Sequence, residues 1–330
     1  MANKEKRALI TGGAGFIGNH LARSLLGQGY HVTVIDDLST GLFANVADME
    51  SDPNFRLYVD TIRNESLMEK LMEESYFVYH LASAVGVRLI MERPVYTIDN
   101  IYQGTEIVLR FARRYRNRVL ITSTSEVYGK SDKIPFVEDG DRLEGSTTRH
   151  RWAYACAKAL DEFLAMAHWK ETRLPVTIVR LFNTVGPRQR SQYGMVLPRF
   201  VSWALAGETI QVHGDGQQSR CFGHVYDVID GLVGLMESEA SAGQVFNLGS
   251  DEEISIGGLA QRVIERLDSD SKVRHIPYEE VYGEGFEDMQ RRVPSIAKVK
   301  ATIGWQPQRD LNVIIDDIAA YLREARGEIV

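Results

Sequence analysis

The chain has 330 residues, of which 44% are hydrophobic and 25% are charged, the balance of a soluble globular protein with room for one elaborated domain or for two. Its formal net charge of -7 disfavours nucleic-acid binding, which requires positive charge to displace counterions. The two cysteines, Cys156 and Cys221, exclude a disulfide framework and lack metal-ligand spacing, so we expect a cytoplasmic protein without a metal site.

The N-terminal segment predicts a β-α-β unit of the size that binds dinucleotides. A strand at 7–10, whose apolar run is too short for a signal peptide or a membrane span, leads into the turn TGGAGFIG at 11–18. An amphipathic helix from about 19 to 27 and a second strand at 31–35 follow. This order of strand, glycine turn and helix is the dinucleotide-binding pattern. Because the apolar run at the N-terminus is short, we expect no contact with a membrane.

The glycines of this turn have separate mechanical roles. Gly12 or Gly13 permits the tight turn, and Gly15 lets the backbone approach a pyrophosphate. Gly18 lets the helix pack close to the strand, while the helix N-terminus supplies amide donors. Asp36, after the second strand, is placed to accept hydrogen bonds from a ribose diol and to repel a 2′-phosphate, which favours NAD over NADP. A purely structural glycine turn is the alternative.

Strands and helices continue to alternate after this unit. We predict strands at 56–59, 77–82 and 119–122, separated by helices at 66–72 and from 94 to about 116. This alternation predicts a parallel, doubly wound α/β sheet with right-handed crossovers. Ligands of such sheets bind outside the carboxyl ends of the strands.

The strand at 119–122 ends in a cluster of hydroxyl groups and a carboxylate. The segment reads VLITSTSEVYG, so Thr124, Ser125 and Glu126 lie at the predicted carboxyl edge of the sheet. A Ser/Thr-rich turn is the alternative interpretation, and the neighbouring motifs are what favour a ligand site.

A helix from residue 152 carries Tyr154 and Lys158, whose spacing of four places them on one face. Taken alone, this pair indicates an aromatic core residue and a solvated lysine. Beside a dinucleotide site, the lysine ammonium is expected to lower the pKa of the phenol. Tyr154 can then accept a proton from a substrate hydroxyl while Thr124 holds the substrate oxygen.

The C-terminal half is less regular. We predict strands at 175–180 and 245–248 and helices at 259–267 and 311–322. The stretch 130–151 is expected to be a loop over the site, and 282–294 a mobile loop with paired arginines.

These elements predict a Rossmann-type NAD-binding domain at 1–183, with a returning segment at about 223–250. The segments 184–222 and 251–330 are predicted to form a smaller α/β substrate-binding domain.

Together the motifs resemble those of the extended short-chain dehydrogenase/reductases that modify nucleotide sugars. The residues that carry the resemblance are TGGAGFIG (11–18), Asp36, Asp60, HLASA (80–84), STSEVYG (123–129), YACAK (154–158), FNTVGPRQ (182–189) and GDGQQSR (214–220). The resemblance implies that NAD is bound by Gly12, Gly15, Phe16, Ile17, Asp36, Asp60, Thr61, Leu81, Ala82, Ser83, Tyr154 and Lys158. It also implies that Asn183, Arg220 and Arg292 bind the substrate.

Residues near the predicted site separate the branches of this family. Ser125 stands where the 4,6-dehydratases carry an aspartate, and many 4-epimerases lack a carboxylate at the position of Glu126. The UDP-glucuronate decarboxylases resemble this chain in STSEVYG and in an arginine that Arg292 matches best. The chain departs from that branch at Val293, in place of a basic residue, and in the loop SAVGVRLIMERPV (83–95).

The decarboxylase resemblance implies that the sugar C4 hydroxyl is oxidised with Tyr154 as base and NAD as hydride acceptor. The resulting β-keto acid then loses CO₂. In this scheme Arg292 binds the carboxylate or the enolate, and Ser125 and Glu126 transfer protons at C5. The product is a UDP-pentose or a UDP-4-keto-pentose, and both remain open.

Other functions also remain open from the sequence. A 4-epimerase for a UDP-hexose or UDP-hexuronate needs only Thr124, Tyr154, Lys158 and NAD. A nucleotide-sugar 4,6-dehydratase is a second alternative, and a non-catalytic NAD-binding scaffold, which needs no Tyr154/Lys158 pair, is a third. By analogy with the family, we expect a homodimer built on the helices at 94–116 and 152–170.

Overall fold

A parallel sheet of 7 strands organises the protein in a computed structural model that describes residues 6–83, 93–190, 195–282, 289–325 and 327. The strands, in chain order, are β1 (Arg7–Thr11), β2 (His31–Asp36), β3 (Phe55–Val59), β4 (Phe77–His80), β5 (Arg118–Thr124), β6 (Val176–Leu181), β7 (Thr184–Val185), β8 (Ile210–His213), β9 (Ser219–Cys221), β10 (Gly223–His224), β11 (Gln244–Leu248), β12 (Glu253–Ser255), β13 (Val273–Ile276) and β14 (Arg291–Arg292). The α-helices are α1 (Phe16–Gly27), α2 (Glu65–Glu74), α3 (Pro94–Tyr115), α4 (Ala153–Thr172), α5 (Val196–Leu205), α6 (Val225–Glu237), α7 (Ile256–Arg266), α8 (Tyr278–Tyr282), α9 (Ala297–Ile303) and α10 (Leu311–Ala325).

The strand order across the main sheet is β11-β6-β5-β4-β1-β2-β3, and every neighbouring pair is parallel. The chain winds outward from β1 to β3 and then returns to β4 on the other side of β1. The order of the strands therefore reverses between β1 and β4, and a crevice opens at such a switch point. This topology confirms the predicted doubly wound, Rossmann-type fold.

Apolar layers cover both faces of the sheet, which explains why β1, β4 and β5 are nearly continuous buried runs. One face packs against α1 and α6, with Leu21 and Leu232 fully buried. The opposite face packs against α2, α3 and α4, with Met68, Val108 and Ala165 fully buried. Within the described part of the chain, we find no helix with both the length and the apolar character that a bilayer-spanning segment requires.

A separate apolar cluster lies in the C-terminal part of the chain. Helices α5, α7 and α10 pack around β8, with Leu197, Leu259 and Ile314 fully buried. In a small neighbouring sheet, β9 pairs antiparallel with β12 and parallel with β14. These elements stand beside the carboxyl edge of the main sheet because β7 and β10 link the two parts.

α1 begins earlier than the sequence predicted. Its first residue is Phe16 rather than a residue near Asn19, and Gly15 is its extended N-cap. The glycines of the turn made the first residue of α1 hard to predict. Glycine disfavours a helix interior but is tolerated at an N-cap and in a closely packed first turn.

β4 and β5 also end at other residues than predicted. β4 stops at His80 rather than Ala82, because its neighbour β1 ends at Thr11 and offers no further register partner. β5 continues to Thr124, which pairs with Leu181 of β6. A 3₁₀-helix at Ser125–Tyr128 begins directly afterwards.

The predicted loop at 282–294 contains the strand β14, so its paired arginines are held in a sheet by β9. Residues 283–288 of this loop lie outside the described residues, as do residues 84–92 of the predicted substrate loop.

Candidate active site

A cavity of about 640 Å³ opens at the switch point, along the carboxyl ends of β1, β4 and β5. Its lining includes every residue that the sequence proposed for the site: Gly12, Gly15, Phe16, Ile17, Asp36, Asp60, Thr61, Leu81, Ala82, Ser83, Thr124, Ser125, Glu126, Tyr154, Lys158, Asn183, Arg220 and Arg292. The fold thus brings these residues together, and their individual roles stay predictions.

The stretch 130–151, predicted as a loop over the site, contributes none of its described residues to the cavity lining. It contains the buried Phe136, which stacks on Tyr128 in an apolar cluster. The backbone of Phe136 accepts a hydrogen bond from Ser295 N and donates one to Val293 O. The stretch therefore braces the segment that follows β14 instead of covering the cavity.

The glycine turn is packed so closely that two of its positions require glycine. Gly12 has a φ of +73°, and a Cβ there would lie 2.8 Å from the Cα of Ala82. A Cβ at Gly18 would lie 2.4 Å from the carbonyl oxygen of Gly12, so α1 packs directly against the turn. No side chain caps α1 at Gly15, which leaves its first amides to a ligand.

Two carboxylates are held in place at the ends of β2 and β3. Asp36 accepts hydrogen bonds from the backbone N–H of Ala14 and of Leu38, each at 2.9 Å. Burial raises the pKa of Asp36, and these backbone donors partly oppose that shift. Asp60 accepts from the N–H of Thr61 at 2.7 Å. Both carboxylates retain acceptor capacity for the hydroxyls or amines of a nucleotide.

The residues that follow β4 form another wall of the cavity. The N–H of Leu81 donates to the Thr11 carbonyl, and that of Ala82 donates to the Thr11 hydroxyl at 3.2 Å. The hydroxyl of Ser83 is buried and has no hydrogen-bond partner among the described residues. A buried polar group without a partner is costly, so this hydroxyl fits a bound polar ligand.

The end of β5 supplies three neighbouring polar side chains. The Thr124 hydroxyl accepts from the N–H of Glu126 at 3.2 Å and so caps the 3₁₀-helix. Ser125 is almost fully buried, and the side chain of Glu126 is 12% exposed. The turn after the strand therefore aims these groups at a site with little access to water.

Tyr154 and Lys158 face the same cavity from α4, and both are buried. The ammonium of Lys158 donates to the Oδ2 of Asp161 at 3.0 Å. The motif reasoning missed Asp161, whose only signal in the sequence is an acidic residue one turn after the lysine on the same helix.

Arg220 and Arg292 are direct register partners on β9 and β14. Both guanidinium-bearing side chains are buried and line the cavity. The Nη1 of Arg292 donates to the Oε1 of Glu126 at 3.3 Å, across 166 positions of sequence. The Nη1 of Arg220 donates to the carbonyls of Ser219 and Gln290.

Asn183 joins the main sheet to the smaller part of the chain. Its φ is +31°, in the left-handed region, and its side-chain amide donates to the carbonyl of Cys221 at 2.9 Å. The side chain also lines the cavity, so it combines a turn position with a place in the site.

The cavity also has arginines that the sequence did not assign to the site: Arg93, Arg188, Arg190 and Arg199. Arg188 lies in the FNTVGPRQ segment and Arg190 follows it, which was the available signal, whereas Arg93 and Arg199 have none. The aspartates of the lining, Asp36, Asp37 and Asp60, follow β2 and β3 at the other side of the sheet. The lining therefore contains several arginines as well as aspartates, and the arginines suit a polyanion.

Comparisons with known proteins agree with this geometry. The profile of the GDP-mannose 4,6 dehydratase family matches residues 9–318. The UDP-N-acetyl-alpha-D-glucosaminuronate decarboxylase of Bacillus cytotoxicus is 38% identical over 325 residues, which are 98% of this chain and 100% of the relative. The UDP-glucuronic acid decarboxylase 1 of Xenopus tropicalis is 36% identical over 97% of this chain and 72% of its own length. A dTDP-glucose 4,6-dehydratase of Streptomyces venezuelae, solved with NAD bound, is 29% identical and has a TM-score of 0.87 over 98% of both chains.

Proposed function

The chain belongs to the GDP-mannose 4,6 dehydratase family of extended short-chain dehydrogenase/reductases, and from this premise we propose that it is an NAD-dependent decarboxylase of a UDP-hexuronate, UDP-glucuronate first of all. The observation that carries the proposal is the ion pair of Glu126 and Arg292 inside the cavity that also contains Tyr154. A UDP-hexose 4-epimerase needs neither of these charges, and a UDP-hexuronate 4-epimerase needs only a cation for the carboxylate, whereas a decarboxylase must both hold a carboxylate and return a proton to carbon.

The residues of the cavity fit NAD. The glycine turn and the N-terminus of α1 would hold the pyrophosphate, and Asp36 the adenosine ribose. We assign Asp60 and Thr61 to the adenine end of the dinucleotide, and the hydroxyl of Ser83, which has no hydrogen-bond partner among the described residues, to a further polar contact. When bound, NAD supplies an acceptor for the C4 hydride and a donor if the ketone is reduced.

Tyr154 is the proposed base for the C4 hydroxyl. The charge of the Lys158 ammonium stabilises the phenolate, and the Thr124 hydroxyl holds the oxygen from which the proton leaves. A positioned base of this kind contributes about 10²–10⁴-fold to the rate. Thr124 is fixed for this role because it ends β5 and caps the next turn.

Decarboxylation follows from the chemistry of the oxidised sugar. A ketone at C4 makes the C6 carboxylate a β-keto acid, so the C5–C6 electron pair enters the ketone as CO₂ leaves. Arg292 holds the carboxylate and then balances the enolate charge. Glu126, with Ser125 beside it, relays to C5 a proton that is taken up from solvent, so the carboxylate is regenerated in each turnover. The product is a UDP-4-keto-pentose, or a UDP-pentose if the ketone is reduced.

The part of the cavity that Arg220 and Arg292 line is the proposed nucleotide-sugar site. A UDP-hexuronate carries the charges of its diphosphate and its carboxylate, and the guanidinium of Arg220 suits the diphosphate. Asn183 is placed for a hydrogen bond to the sugar or the diphosphate. We therefore assign residues 1–183 and about 223–250 to NAD binding, and 184–222 and 251–330 to the substrate.

We also propose a cytoplasmic homodimer built on α3 and α4. These helices leave large apolar side chains exposed, namely Val95 (76%), Ile98 (43%), Tyr102 (39%), Leu160 (47%) and Phe163 (67%). An apolar patch of this kind favours burial against a second copy.

The test is to incubate the protein and NAD with UDP-glucuronate, and separately with UDP-N-acetylglucosaminuronate, and to follow CO₂ and the product sugar. Release of CO₂ from either one with formation of a UDP-pentose or its 4-ketone supports the proposal. A C4-inverted hexuronate without CO₂ identifies an epimerase instead. Bound NAD without turnover of any nucleotide sugar identifies a scaffold.

A further inference from the structure

Lys158 has a buried counter-charge, Asp161, on its own helix. Lys158 is 2% exposed and Asp161 is 0% exposed, and their side chains meet at 3.0 Å on neighbouring turns of α4. An ammonium enclosed in this way is stable only with a counter-charge, because burial of an isolated charge is very unfavourable. The proposed roles of Tyr154 and NAD do not use this carboxylate.

A line of hydrogen-bonding groups continues from Asp161 into the sheet. Burial raises the pKa of the Asp161 carboxyl, and the neighbouring hydroxyl of Thr105, on α3, opposes that shift. The Nε2 of His80 lies 3.1 Å from the Thr105 hydroxyl, and its Nδ1 lies 2.8 Å from the Thr11 hydroxyl. Thr11, His80 and Thr105 are all buried, and Thr11 directly precedes the glycine turn.

The direction of these hydrogen bonds follows from the protonation of His80. Burial lowers the pKa of His80 to about 3, so the neutral ring has one donor and one acceptor nitrogen. The Oδ1 of Asp161 is buried and makes no well-formed hydrogen bond among the described residues, so the Thr105 proton is best directed toward this carboxylate. His80 then donates from Nε2 to Thr105 and accepts at Nδ1 from Thr11.

We propose that Asp161 is a positioning residue, which ties the Lys158 ammonium through Thr105 and His80 to the nucleotide-binding turn at Thr11. The line ends at the backbone N–H of Ala82, which donates to the Thr11 hydroxyl, and not at solvent. It therefore sets position and charge and does not carry protons out of the site. The backbone at Ala82 and the ammonium of Lys158 are thereby held in one geometry.

The inference rests on the proposed use of Tyr154 and Lys158 in C4 oxidation and is independent of the decarboxylation step. Its test is the Asp161→Asn variant, which keeps the shape of the side chain and removes the charge. Misplacement of a catalytic group by a short distance lowers rates by about 10²-fold. We expect kcat on the nucleotide sugar to fall about 10- to 100-fold while KM changes little.

The pH profile of kcat distinguishes this role from a merely structural one. The groups that face Lys158 are Tyr154 and Asp161 on α4 and the neutral His80 from β4, while the nearby Glu162 is neutralised by Arg180 of β6. Loss of an opposite charge at this distance shifts the pKa of a neighbouring ionisable group by about 1–3 pH units. The alkaline arm of the profile is therefore expected to move toward neutral pH in Asp161→Asn, and Asp161→Glu should restore it in part.

Thr105→Val supplies a second test, because it keeps the Lys158–Asp161 pair and removes the link to His80. It should lower kcat about 3- to 10-fold with unchanged KM, a smaller effect of the same kind. Glu171→Gln, an exposed position on the same helix, is the matched control and should behave as wild type.

Wild-type kcat and pH profile in folded Asp161→Asn overturn the inference. If that variant does not fold, Thr105→Val decides alone, and a wild-type kcat there overturns it as well. Failure of the wild-type protein to turn over any nucleotide sugar would instead refute the proposed function.

Discussion

Replacing Arg292 by methionine tests the assignment of the decarboxylation step. The side chains of Arg292 and Glu126 are 9% and 12% exposed, and their Nη1 and Oε1 atoms lie 3.3 Å apart. Methionine keeps much of the length and apolar volume of arginine while it removes the charge. The C4 oxidation is assigned to Tyr154, so this change should act on the loss of CO₂ and not on hydride transfer.

The magnitude follows from the interaction that is removed. A hydrogen bond to a charged group contributes about 1.5–3 kcal/mol. Because about 1.4 kcal/mol corresponds to a factor of ten in rate, kcat for CO₂ release should fall about 10- to 150-fold. Glu126→Gln should lower it as well, and the double variant should lose less than the sum of the two free energies, because the residues form one pair.

The assay uses UDP-glucuronate labelled with ¹³C at C6 and follows labelled CO₂ and the nucleotide-sugar products by NMR. Arg291→Met is the matched control, because Arg291 is on the same strand but is 55% exposed, pairs with Glu253 and does not line the cavity. Equal losses in the two variants would mean that damage to β14 causes the effect. Wild-type CO₂ release in folded Arg292→Met would refute the role of Arg292.

Other consequences are open to direct measurement. Asp36→Asn should raise the dissociation constant of NAD about 10-fold, because a hydrogen bond to a charged group is lost. The variant should also discriminate less against NADP, and titration with both dinucleotides measures the two effects. Phe163→Glu should yield monomers in analytical ultracentrifugation whereas Val313→Glu, on α10, should not, and a dimeric Phe163→Glu would contradict the proposed interface. Burial lowers the pKa of His20 to about 4 and that of His80 to about 3 from an ordinary 6.5, so between pH 6.5 and 4 the unfolded chain binds protons that the folded chain does not. The free energy of unfolding should therefore fall on acidification through this range, by up to about 1.4 kcal/mol per pH unit for each histidine. Urea titrations at pH 5 and 6 measure this slope, and His20→Gln should halve the part of it that these two residues contribute.

Local patterns in the sequence were sufficient for the fold class and for much of the cavity. The turn at 11–18 predicts a dinucleotide site because strand, glycine spacing and helix are all local features. The spacing of Tyr154 and Lys158 places them on one helix face for the same reason. The alternation of strands and helices predicted the parallel sheet, and such a sheet brings strand ends together at one edge.

Only the tertiary structure decided which charges meet in that cavity. Arg292 reaches Glu126 because β14 pairs with β9 in a register that no local pattern specifies. The stretch 130–151 contacts the segment after β14 and does not line the cavity, because Phe136 is buried in an aromatic cluster with Tyr128. The role proposed for Asp161 depends on Thr105, which lies on another helix. These contacts join residues far apart in the chain, so their energies depend on packing and not on propensity.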